Sequence, residues 1–115
     1  MALSLVWRRI PPNVAVAEIK GFLTTGTDLQ DLEQNLVQFL ANQNARLVLD
    51  LAHLEMVDSA GVTTLALCAQ ASDRHGSQVA IANPSPRARK VFEITHLGQI
   101  LPIYDDLSSA AGSLL

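Results

Sequence analysis

Leu47-Val48-Leu49-Asp50-Leu51 is an apolar run broken by one polar side chain, and it limits the architectures open to this chain. A run of this kind offers no polar face to water, which is the pattern of a central strand buried on both sides of a sheet. After Ala52 to Val57, read as a loop, come Asp58 and Ser59, two strong helix starters. They precede Val62-Thr63-Thr64-Leu65-Ala66-Leu67-Cys68-Ala69, dense in apolar and small side chains. The stretch from Arg46 to Gly76 therefore reads strand, loop, helix.

With Asp58 as N-cap, its carboxylate accepts a backbone N–H of the first turn, and Ser59 takes the first helical position with its hydroxyl toward solvent. Gly61 is the anomaly. A glycine inside a helix costs roughly 1 kcal/mol against alanine, so something must come close to the backbone there. One reading is tight packing on a neighbouring strand; the other is a partner or phosphate donor reaching Ser59. Capping chemistry alone leaves both open.

The remaining elements follow in order. Ser4 to Arg8 is a strand, Ile10-Pro11-Pro12-Asn13 a turn, and Val14 to Gly21 an antiparallel partner with β-branched residues at alternating positions. Thr24 to Asp28 is rich in capping residues and leads into Leu29, Leu32, Leu36, Val37, Phe39 and Leu40 at helical spacing. Asp28, Asp31 and Glu33 sit near the positive end of that helix, where carboxylates gain ~0.3–1 kcal/mol from its dipole. In the central helix, Val62, Leu65, Ala66 and Ala69 mark the face turned to the sheet, with Cys68 an inert core thiol. Gly76 ends this helix, and Gln78 to Ala82 is a further strand.

Asn83 to Pro86 opens a helix through Thr95. Its first turns carry Arg87, Arg89 and Lys90, a cluster that the dipole disfavours. The cluster is either a solvated face whose aliphatic stems pack on the core, or a candidate patch for an anionic partner or lipid headgroup. Leu101 to Tyr104 is a short edge strand because of Pro102, and Asp105-Asp106 cap a last helix over Leu107 to Leu114. Strands alternating with helices imply parallel pairing, and the opening hairpin makes the sheet mixed. The expectation is an α/β single domain over residues 1–115, a mixed, mostly parallel sheet of four to five strands with about four helices.

Composition narrows the function. A hydrophobic fraction of 49% against 17% charged residues is that of a folded core, and a formal charge of −3 argues against sequence-independent nucleic-acid binding. The single cysteine excludes an internal disulfide and fits a reducing compartment. No stretch approaches the ~20 apolar residues of a membrane span, and Met1 to Arg9 lacks a secretory apolar core. The expected location is cytoplasmic, without membrane insertion. His53, His75 and His96 show no metal-ligand spacing. No Gly-rich phosphate loop or Gly-x-Ser-x-Gly elbow is present, so the expectation is a non-enzyme without cofactor or metal.

Leu47 to Leu51 followed by Met56-Val57-Asp58-Ser59-Ala60-Gly61-Val62 resembles the signature of the STAS domain, shared by sulfate transporters and bacterial anti-sigma factor antagonists. The likeness covers nearly the whole chain, including Gly21-Phe22-Leu23, the strand at Gln78 to Ala82, and Phe92 to Leu97. It implies that Ser59, after the motif aspartate, is a phosphorylation site. It also implies that Asp58, Ser59, Ala60, Gly61, Val62 and Thr63 form a partner-binding surface. The implied partners are an anti-sigma factor serine kinase and a serine phosphatase, with any nucleotide belonging to the kinase. The chain departs from the family at Thr24, where many antagonists carry aspartate. Alternatives that the resemblance leaves are a subunit of a phospholipid transport complex, bound to its ABC transporter ATPase, and a scaffold subunit of a stress-signalling assembly.

Overall fold

The fold is built outward from the central apolar run. In a computed structural model that describes residues 3–115, Arg46–Asp50 forms a strand, β3, paired in parallel on both sides. Its neighbours are β2 (Val14–Leu23) and β5 (Gln78–Ala82). β1 (Leu3–Ile10) pairs antiparallel with β2 at one edge, and β6 (Ile103–Tyr104) pairs parallel with β5 at the other. The order is β1-β2-β3-β5-β6.

A sixth strand, β4 (Leu54–Val57), lies where the sequence reads as loop. It pairs with Gly21 to Leu23, extending the sheet along the C-terminal end of β2 beyond β3. The pairing register shifts between Gly21 and Phe22, and Gly21 adopts φ 96°. That left-handed backbone suits glycine, and the resulting bulge re-aims the strand end that leads into the loop from Thr24 to Gly26.

Strand alternation sorts the side chains into two cores. Ala17, Ile19, Leu47, Leu49 and Ile81 are fully buried on one side. They join Leu29, Leu32, Leu36 and Leu40 of helix α1 (Thr27–Leu40) and Leu65 and Cys68 of helix α2 (Ser59–His75). Helix α3 (Pro86–Thr95) adds Ala88 and Phe92 to the same cluster. Each fully buried leucine contributes ~1.5–3 kcal/mol, so this cluster dominates stability. Val16, Val48, Ala80 and Ala82 point the other way, against Ala110, Ala111 and Leu114 at helix α4 (Leu107–Ser113). Four helices and a mixed, mostly parallel sheet therefore make an α/β fold.

Two elements differ from the expectation. The last strand is confined to Ile103 and Tyr104, while the Pro102 carbonyl accepts the Ile81 N–H at 2.8 Å. The buried face of α2 contains Gly61, Thr64, Leu65, Cys68, Ala69 and Ser72, with Val62 and Ala66 only half-buried. The helix is thus rotated from the expected face. Thr64 is consequently buried, and its hydroxyl donates to Glu33 Oε1 of α1 at 3.2 Å.

Candidate functional site at the start of the central helix

β4 delivers the chain to Asp58, whose extended backbone (φ −106°, ψ −175°) is the N-cap conformation from which α2 starts. Asp58 Oδ1 accepts the Gly61 N–H at 2.9 Å, the capping bond expected from sequence. Its other oxygen makes a contact that no local sequence pattern announces. Oδ2 accepts the Thr25 N–H at 2.9 Å and the Thr25 hydroxyl at 3.2 Å, tying the β2–α1 loop to the helix start. In sequence, Thr25 signalled only a cap-rich turn.

Partial burial of Asp58 works against ionisation, but the bonds from Thr25 N–H, Gly61 N–H, Thr25 Oγ1 and Ala60 N–H outweigh it. Together they hold the carboxyl below the usual carboxylate range. A fixed negative charge therefore stands beside Ser59 at neutral pH.

Gly61 is buried, and the clearance it creates is taken by β2. A Cβ there would collide with the Leu23 carbonyl oxygen and lie 3.1 Å from both Leu23 C and Cγ. The same Leu23 carbonyl accepts the Asp58 N–H at 3.3 Å. Close packing on a neighbouring strand thus accounts for this glycine.

Ser59 is exposed at the first position of α2. Its carbonyl accepts the Thr63 hydroxyl at 2.9 Å, whereas among the described residues its own hydroxyl has no hydrogen-bond partner in the protein. The cap belongs wholly to Asp58, and Ser59 Oγ is free for other chemistry. Of the other residues expected to meet a partner, Thr63 is exposed one turn on, while Ala60 and Val62 are half-buried and pack on the main core.

The basic cluster is spread out by its contacts. Arg89 pairs with Asp105 at 3.0 Å, which offsets its place near the positive end of α3. Arg87 reaches the Glu55 carbonyl of β4 at 3.5 Å, and Lys90 is exposed. Ser85 caps α3, accepting the Ala88 N–H at 3.2 Å. A cleft of about 370 Å³ beside Arg89, Phe92, His96 and Ile103 contains none of the motif residues. Burial, then the Glu33 charge, push the Cys68 thiol up to about 12, leaving it protonated.

Among the described residues no group of three or more His, Cys, Asp and Glu side chains is placed to hold a metal ion. No helix among them is long and apolar enough to cross a membrane.

The family model described as STAS domain matches residues 8–110. BtrV of Bordetella bronchiseptica, named as a candidate anti-sigma factor antagonist, is 26% identical over 101 residues, covering 88% of this chain and 86% of BtrV. The crystal structure of an anti-sigma factor antagonist from Mycobacterium paratuberculosis superimposes with TM-score 0.80 at 23% identity, covering 98% of this chain and 94% of that one. SpoIIAA, an anti-sigma factor antagonist, superimposes in its unphosphorylated form with TM-score 0.70 at 20% identity, covering 87% of each chain. The phosphorylated form of SpoIIAA, from Bacillus, gives TM-score 0.69 at 15% identity, covering 97% of this chain and 100% of that one.

Proposed function

The chain belongs to the STAS domain family, and on that footing we propose that it is an anti-sigma factor antagonist working by partner switching at Ser59. The observation that carries the reading is the division of labour at the start of α2. Asp58 does the capping, and Ser59 is left exposed with a free hydroxyl. That SpoIIAA, alike in fold, has been solved with and without phosphate supports the same reading.

With its hydroxyl free, the protein binds an anti-sigma serine kinase, and the sigma factor is released. The kinase then moves the γ-phosphoryl group of ATP to Ser59 Oγ. The new P–O bond forms as the bond to the ADP leaving group breaks, and the hydroxyl proton passes to a base on the kinase. A serine phosphatase restores the hydroxyl by hydrolysis.

The product carries about −1.5 to −2 added charges. The N–H groups at the start of α2 favour an anion there, while the ionised Asp58 next to it opposes one. These effects offset each other inside the domain, so the consequence falls on the docked partner. Unpaired charge in an interface costs several kcal/mol, enough to weaken binding by two or more orders of magnitude. The resemblance sets Thr24 where many antagonists have aspartate, and in this chain the loop meets the motif through Thr25.

Titration calorimetry with the kinase tests this reading. Ser59→Ala should bind within a few-fold of wild type, because no bond is lost, while Ser59→Asp should bind at least ~100-fold more weakly. Equal affinities for Ser59→Asp and wild type would contradict it.

A further inference from the structure

We propose that the outer face of α2, with Ile100 beside it, is the groove in which the kinase acting on Ser59 docks. The inference rests on the reading of Ser59 as phospho-acceptor, and it carries the contact surface beyond Thr63 toward Gln70. A helix that borders water on one side ordinarily carries charged residues there. From Ser59 to Ser72 α2 has none, and its first charge is Asp73. Leu65, Cys68 and Ala69 fill the inward face, yet Val62, Ala66 and Leu67 are also apolar and only half-buried. A helix apolar on every side is ordinarily covered on every side.

The uncovered side is a groove that begins at the site. Ser59, Thr63, Ala66 and Gln70 recur at spacings of four, three and four, so they share one face of α2. Thr63, Ala66, Leu67 and Gln70 line a cleft of about 350 Å³ whose other wall is Ile100, 58% exposed just past the 3₁₀ turn Leu97–Gln99. Asp73 closes its far end. Thr63 joins the cleft to the site, since its hydroxyl donates to the Ser59 carbonyl at 2.9 Å. The phospho-acceptor therefore stands at the head of a groove that is free of charge until Asp73.

That continuity identifies the occupant. To transfer phosphate, the kinase must bring its γ-phosphoryl group to about 3–3.5 Å from Ser59 Oγ. An interface of standard size covers about 800 Å² on each partner, a patch of roughly 16 Å radius. Ala66 and Leu67 lie seven and eight residues along α2 from Ser59, about 10–12 Å away. A kinase seated on Ser59 reaches them. On this arrangement an apolar segment of the kinase lies along α2 and supplies affinity. Charge added to Ser59 falls at the head of that contact and opposes it.

Titration calorimetry with the kinase, in the absence of ATP, tests the groove. Ile100→Ala should bind about tenfold more weakly than wild type and Ile100→Glu about 100-fold, while Ile100→Leu stays within about threefold. Val6→Ala, 43% exposed and opposite Glu18 on the other side of the sheet, is the control and should bind like wild type. All four variants should keep the wild-type melting curve, because both positions are open to solvent. At saturating substrate, Ile100→Ala should be phosphorylated at the wild-type rate, since Ser59 and Asp58 are untouched. Wild-type affinity in Ile100→Glu, with Ser59 phosphorylated normally, would overturn the groove and leave the switch standing. No phosphate on wild-type Ser59 would overturn the switch and the groove with it. A dimer of this chain that Ile100→Glu dissociates, with kinase affinity unchanged, would assign the face to a second copy and equally overturn the proposal.

Discussion

Asp58 and Thr25 stand 33 positions apart in sequence, yet one carboxylate oxygen of Asp58 accepts both the backbone N–H and the hydroxyl of Thr25. With Gly61 N–H on the other oxygen, a single side chain caps α2 and anchors the loop beside the proposed phosphorylation site. Asp58→Ala loses a cap worth ~1 kcal/mol and charge-assisted bonds worth ~1.5 kcal/mol or more. Urea unfolding should therefore show a loss of about 2–3 kcal/mol. Thr25→Val keeps the backbone bond and should lose only about 1 kcal/mol. In a double-mutant cycle the two should couple, since they share one interaction.

The same carboxylate fixes a pH dependence. Its folded pKa is lowered, so the unfolded state takes up its proton at higher pH than the folded state. The stabilisation it provides is full above the unfolded value of about 4. It is lost as pH falls through the lower folded value. The stability difference between wild type and Asp58→Asn should be largest near neutrality and shrink below about pH 4, measured by urea titration at several pH values.

Gly61→Ala sets two effects against each other. Alanine is favoured in helices by roughly 1 kcal/mol, but its methyl would strike the Leu23 carbonyl, a backbone atom that cannot swing aside. Overpacking of this kind costs ~1–3 kcal/mol, and the backbone contact puts the cost at the upper end. A net destabilisation of about 1–2 kcal/mol is expected. A stabilised Gly61→Ala variant in thermal unfolding would refute the close approach.

Ser59 makes the complementary prediction. With no hydrogen bond from its hydroxyl to lose, Ser59→Ala should change unfolding free energy by no more than ~0.5 kcal/mol. A loss above ~1 kcal/mol would assign the hydroxyl a capping role.

The Arg89–Asp105 pair should contribute little, because its two side chains are 43% and 85% exposed. Asp105→Ala is expected to cost less than ~1 kcal/mol, with any effect fading at high salt.

What the sequence makes legible here is local. The buried β3 is evident because its residues are apolar regardless of which face they occupy. Asp58 and Asp106 are evident as caps because each bonds an N–H three residues on. Gly76 is evident as a stop and adopts φ 71°. β4 is hidden because Glu55 and Met56 are both exposed between buried Leu54 and Val57, so the strand shows neither alternation nor a continuous apolar run. The glycine in α2 announces a close approach, but identifying Leu23 as the neighbour takes the bulged end of β2 in three dimensions. Thr25 is invisible for the same reason: its partner lies across the fold, and no local pattern distinguishes it from Thr24 or Thr27.

The most direct test of the switch is intact mass after incubation with ATP and an anti-sigma serine kinase from the same organism, comparing wild type with Ser59→Ala. One phosphate on wild type and none on Ser59→Ala is the expected result. An unmodified wild type that still binds the kinase, or a phosphate that persists on Ser59→Ala, would contradict a switch at Ser59.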